Sequence, residues 1–166
     1  MRSPGEVEPV AEPKRIIRTS EIEITDALDA LGLNLEIFRT ALLVGEAERD
    51  SRTALEPPII APIVSWGGIV RSLRESLIPK GWRLDDRYLS LIINSSGTIA
   101  IAVKTGDEFT GISSGTPPRT KRAIGPAAMV VVERNRRQLE LFKSRIPRAV
   151  EKECATWFLL RRRYNN

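Results

Sequence analysis

The chain has 166 residues, with 26 Lys and Arg against 21 Asp and Glu and a net charge of +5. An apolar share of 42% and a charged share of 28% describe an ordinary globular chain, long enough to bury a core without disulfide or metal staples. It has no histidine and one cysteine, Cys154, which excludes Ser-His-Asp and Cys-His catalysis, HExxH zinc sites and an internal disulfide.

Any catalysis would rest on Asp, Glu, Lys, Tyr, Ser or Thr, or on an oxygen-bound Mg²⁺ or Mn²⁺. The charge divides unevenly. Residues 1–60 hold seven Lys or Arg and twelve Asp or Glu, a net of −5; residues 61–166 hold nineteen and nine, a net of +10. A basic C-terminal part suits nucleic acid or an acidic protein. The opening "MRSPGEVEPVAEPKR" lacks an apolar signal core, and the longest apolar run is too short to span a bilayer. A cytoplasmic protein without membrane contact is expected.

In chain order, residues 1–18 read as a flexible arm, 19–60 as a helical N-terminal subdomain and 61–166 as a basic α+β domain. "TDALDALGLNLEIFRTALLVGEAERD" predicts two helices, with Thr25 as the first N-cap, Gly32 as its C′ residue and Asn34 as the second N-cap. Ile37, Phe38, Ala41, Leu42 and Gly45 form the inward stripe. A DNA-reading helix-turn-helix is disfavoured, because the second helix sets Arg39 and Arg49 against Glu36, Glu46, Glu48 and Asp50. "ALEPPIIAPIV" reads as a proline-punctuated connector whose isoleucines lie on the core. A helix is then expected from Ser65, as its cap, to Leu77, with Trp66, Ile69, Val70, Leu73 and Leu77 inward and Pro79 and Gly81 ending it.

"YLSLIINSSGTIAIAVKTG" predicts an antiparallel hairpin with one face buried, in which Leu89, Leu91 and Ile93 alternate, "NSSG" turns, and Ile99, Ile101 and Val103 alternate. A long polar loop over residues 107–124 is functional or disordered. A helix then starts near Pro126, with Met129, Val132, Leu139 and Phe142 inward. "ATWFLLRRR" reads as a last strand. The sum is an α+β fold: an N-terminal helical pair and a central helix with a small antiparallel sheet.

"LRESLIPKGW", "NSSGTIAIAVKTGDEFTG" and "ATWFLL" occur together here. The arrangement resembles an uncharacterised family of bacterial proteins, over roughly residues 50–160. That family carries an LRxxLxPxGW helix end, an NxxGTxAIAVxTGDExTG hairpin and a TWxLL strand. The resemblance implies shared motifs and no activity.

Two groups of residues are candidates for a site. Lys104, Thr105, Gly106, Asp107 and Glu108 stand where the second hairpin strand meets the loop. They read first as a structural turn. The alternatives are a contact loop, a phosphate nest with Gly111, Ser113, Ser114 and Gly115, or a metal site of Asp107 and Glu108 with Lys104 as electrophile. No P-loop spacing is present, and Ala102 stands where a restriction-type nuclease would carry an acid. The second group is cationic: Lys104, Arg119, Lys121, Arg122, Arg134, Arg136, Arg137, Arg161 and Arg162, with Arg163 beside them. Trp82, Tyr88, Trp157 and Tyr164 are candidate stacking surfaces. Asp85 and Asp86 are adjacent and share a metal poorly.

These features favour a small non-catalytic binding or adaptor protein whose basic C-terminal surface meets nucleic acid or an acidic protein. No catalytic residue, metal or cofactor is assigned, and the oligomeric state is open. One alternative is a metal-dependent enzyme or enzyme subunit acting on nucleic acid or nucleotides. Another is an inhibitor or immunity-type protein that blocks a partner through its acidic helices.

Overall fold

The structure, a computed structural model, describes residues 18–87, 89–113, 115–122, 125–126, 129–130, 132–133 and 154–163. Three helices, α1 (Glu21–Asp29), α2 (Leu35–Asp50) and α3 (Ile60–Leu77), precede a four-stranded sheet. The strands are β1 (Arg83–Asp85), β2 (Leu91–Ile93), β3 (Ile99–Thr105) and β4 (Ala155–Arg161), in spatial order β1-β2-β3-β4. The fold is α+β, as the sequence implies.

Helix α1 begins four residues before the expected cap. The Thr25 hydroxyl donates back to the Glu21 carbonyl at 2.8 Å, a bond made inside a helix rather than at its start. Its end follows the sequence. Gly32 sits at φ +71°, the Leu33 amide donates to the Leu28 carbonyl and the Gly32 amide to the Asp29 carbonyl, both at 2.9 Å. That is the two-bond helix stop a left-handed glycine permits, and it carries Leu33 into the core. Asn34 caps α2 by accepting from the Ile37 amide at 3.0 Å.

Helices α2 and α3 meet through small residues. A Cβ at Gly45 would lie 2.4 Å from Ile69 Cγ1, and Ala41, Ser65, Gly68 and Ser72 are buried. Helix α3 begins at Ile60, not Ser65. Pro62 is tolerated in its first turn, where amides lack helical acceptors anyway. Ser65, expected as a cap, is 1% exposed inside the helix. Ile59 and Ile63, expected on the core, are 66% and 52% exposed. Ile69, Val70, Leu73 and Leu77 are buried as expected, whereas Trp66 stays partly exposed. Trp66 Nε1 donates to the Val103 carbonyl at 3.3 Å, beyond the point where short β2 stops pairing with β3. A 3-10 turn, Ile78–Lys80, and Gly81 at φ +84° then swing Trp82 into the core.

The hairpin forms where expected, closed by a turn in which the Asn94 carboxamide accepts from the Thr98 and Ile99 amides. Both of its faces are buried, not one. Ile92, Ile101 and Val103 join Leu33, Ile37, Ile69 and Leu73 on the helix side. Leu91, Ile93, Ala100 and Ala102 cluster on the other side with Leu89, Cys154 and Phe158. The sheet is mixed rather than antiparallel. β4 runs parallel to β3 from Ile99↔Ala155 to Thr105↔Arg161. Trp157 is 54% exposed on this last strand. Pro126, Met129 and Val130 have helical backbone, as expected, but Met129 is 53% exposed rather than buried. Leu139 and Phe142 lie outside the described residues. No helix among the described residues is long and apolar enough to cross a membrane.

Candidate functional site

Parallel pairing ends β3 and β4 side by side, so Thr105 and Arg161 finish together. The chain then folds back on itself. Gly106 bridges to Thr120; the Asp107 amide donates to the Arg119 carbonyl and the Lys121 amide to the Thr105 carbonyl, each at 2.9 Å. On its other flank the Gly106 amide donates to the Arg161 carbonyl at 2.8 Å. Only glycine fits at 106, because a Cβ there would stand 1.9 Å from Thr110 Oγ1.

Asp107 organises this turn. One carboxylate oxygen accepts from the Phe109 amide at 3.2 Å and the Thr110 hydroxyl at 3.3 Å. The other accepts from the Arg119 amide at 3.0 Å. The carboxylate thus pins the returning loop to the strand end, and both of its oxygens are committed. The neighbouring Glu108 side chain is exposed. Among the described residues, no three acidic or cysteine side chains gather closely enough to hold a metal ion. Within "VKTGDEFTG", Val103–Thr105 end β3, and the residues after them turn the chain back to the basic loop.

Around this turn lies a cleft of about 1490 Å³. It wraps the C-terminal ends of β3 and β4, from α2 and the first turn of α3 on one side to residues 120–122 on the other. Leu42, Ile59 and Ile63 give it an aliphatic wall on the helix side, with Pro58 and Pro62 alongside. Phe158 and Leu160 lie on the far side. Cations reach it from every direction: Arg49 from α2, Lys104 from β3, Lys121 and Arg122 from the loop, and Arg161, Arg162 and Arg163 from the end of β4.

These cations fall into two sets. Arg161 lines the cleft and is also tied into the fold. Its guanidinium donates to the Ser65 hydroxyl at 2.6 Å and the Pro62 carbonyl at 3.0 Å, tying β4 to α3. Burial pushes its pKa below the ordinary arginine value; Arg49 adds to this and Glu46 opposes it. Arg162 donates to the Glu108 carbonyl, and Arg163 pairs with Glu46 at 3.3 Å and Asp50 at 3.4 Å. Arg49, Lys104, Lys121 and Arg122 form the second set. Among the described residues no carboxylate pairs with them, and Lys121 and Arg122 are exposed. Arg119 is also exposed; its backbone, not its side chain, holds the turn.

The structure therefore joins Lys104, Arg119, Lys121, Arg122, Arg161 and Arg162 at one end of the sheet. Arg134, Arg136 and Arg137 lie outside the described residues, as do Ser114, Tyr88 and Tyr164. Trp82 belongs to the core, and Trp157 stands outside the cleft lining. Asp85 and Asp86 diverge, Asp85 to Arg87 and Asp86 to Arg74. Sequence reasoning missed Arg49, which it counted only against the acids of its own helix. It also missed Ile59 and Ile63, which it assigned to the core. Comparison with known proteins adds no relative: no family model, no curated protein and no solved structure matches the chain.

Proposed function

We propose that the chain is a non-catalytic binding module that takes a negatively charged macromolecular partner in the cleft at the ends of β3 and β4. One observation carries this reading. Cations from three separate parts of the chain, Arg49 on α2, Lys104 on β3 and Lys121 and Arg122 in the returning loop, line one concavity without carboxylate partners among the described residues. Unpaired like charges held together by a fold repel each other, and an anionic partner relieves that cost while its diffusion is steered toward the site. The cleft also receives the positive end of α3, whose first turn lines it and has no side-chain cap.

The metal-centred enzyme reading rests on Asp107 and Glu108 with Lys104, and of these carboxylates Asp107 already holds the turn through both oxygens. The test is a titration of the protein with labelled oligo-dT, oligo-U and poly-glutamate at about 50 mM and about 200 mM salt, the range over which multi-contact charge binding weakens steeply. Saturable binding to at least one polyanion is expected, weakened at least about tenfold in Lys104→Glu/Lys121→Glu/Arg122→Glu, a loss of roughly 1.4 kcal/mol. Equal binding by the folded triple variant overturns the assignment of the cleft.

A further inference from the structure

We infer that the partner is a polypeptide: an acidic segment interrupted by aliphatic side chains, not a nucleic acid strand. This rests on the cleft being the binding site. The cleft is not a bare basic groove. Ile59 and Ile63 are four residues apart at the start of α3, stand on one face, and are 66% and 52% exposed. Leu42 faces them from α2 at 37% exposure. Aliphatic side chains exposed side by side in a concavity mark a contact surface, since burial against a partner is what they lack.

Among the described residues the aromatic inventory points the same way. Strand binders hold bases by stacking them on exposed rings beside a basic track. Here Trp82 is 7% exposed in the core, Trp66 is tied to the Val103 carbonyl, and Trp157 stands outside the cleft. The one described aromatic in the lining, Phe158, packs into the cluster under the far face of the sheet.

The charges also suit a polypeptide. Glu46 and Glu108 line the same cleft as the cations, with Glu46 held by Arg163. A continuous phosphate backbone meets repulsion at such points. A polypeptide sets its carboxylates against Arg49, Lys104, Lys121 and Arg122 and its aliphatic groups against Ile59, Ile63 and Leu42. Affinity then comes from the buried aliphatic side chains, and orientation from the charges.

The test uses the full chain and three probes: a glutamate-rich peptide with leucine or isoleucine at every third or fourth position, the same peptide with serine at those positions, and oligo-dT of similar charge. The aliphatic peptide is expected to bind at least about tenfold more tightly than the serine peptide. Ile59→Ser/Ile63→Ser, two exposed positions, should erase that preference. Equal affinity for the two peptides, or a preference that survives in the serine variant, overturns the polypeptide assignment. Tighter binding of oligo-dT than of either peptide also overturns it, and leaves the cleft itself standing as a nucleic-acid site. No binding of any probe removes the cleft reading and this inference together.

Discussion

The crossing of α2 and α3 offers a quantitative test of how this core is built. Replacing Gly45 by Ala adds one methyl group. It would stand 2.4 Å from Ile69 Cγ1 and 2.7 Å from the Ser65 carbonyl oxygen. Ordinary contact between such atoms needs about 3.5 Å or more. The oxygen belongs to the α3 backbone and cannot rotate away, and Ile69 is 2% exposed with nowhere to go. The helices must separate. Overpacking of this kind costs about 1–3 kcal/mol, and the backbone clash places Gly45 in the upper half of that range. Alanine recovers about 1 kcal/mol through its better helix propensity. The net loss is about 1–2 kcal/mol, and at roughly 2–4 °C per kcal/mol for a domain of this size the midpoint falls by about 2–8 °C. Gly67→Ala is the control, since nothing lies within 4 Å of its added Cβ. That variant should gain up to about 1 kcal/mol. Gly68→Ala falls between, because its obstacle is the movable Glu48 carboxylate. Urea unfolding followed by circular dichroism reads all three. A Gly45→Ala protein as stable as wild type, with an unchanged m-value, would refute the close-packed crossing.

Further outcomes are expected elsewhere. Asp107→Ala removes the acceptor for two backbone amides and a hydroxyl, at a cost of about 1–3 kcal/mol focused on the turn. Faster amide exchange at Phe109 and Arg119 should follow, and unchanged protection there would show that the carboxylate is not the pin. Arg161→Met strips the bonds to Ser65 and the Pro62 carbonyl. It should lower the unfolding midpoint while polyanion affinity changes little; a stable variant that no longer binds would make Arg161 a contact residue after all. Asp85 is held at a pKa of about 2, below its ordinary 3.8, first by its side-chain hydrogen bonds from Arg87. Because the folded value is the lower one, this pair stabilises the fold above pH 4, and the contribution disappears as pH falls from about 4 to about 2. Arg87 is largely exposed, so the effect stays under about 1 kcal/mol. Arg87→Ala should remove that step from the stability–pH curve, and an unchanged step would assign it to another carboxyl.

The sequence was most readable where a residue type has one good local use. Gly32 and Asn34 end and start helices because a left-handed backbone and an amide-accepting side chain are needed within three residues. The hairpin was legible for the same reason: Asn94 and Gly97 build its turn. Direction was not legible. A short apolar run that turns abruptly basic marks β4 as a strand, but nothing in it states whether its neighbour runs parallel, and that choice brings Arg161 to Thr105. Nor does spacing tell an exposed isoleucine from a buried one. Ile59 and Ile63 read as core because apolar residues usually are, and only the placement of α2 leaves them facing a cleft. The arginine run at 161–163 looked uniform, yet its members divide into a tie to α3, a loop contact and an ion pair.

The most direct measurement is an amide chemical-shift map of the labelled protein titrated with the glutamate-rich aliphatic peptide. Shifts are expected at residues 42–49, 59–63, 104–107 and 120–122, which are distant in sequence and share one cleft. Shifts gathered instead on α1 or along β1, with those four segments silent, would contradict it.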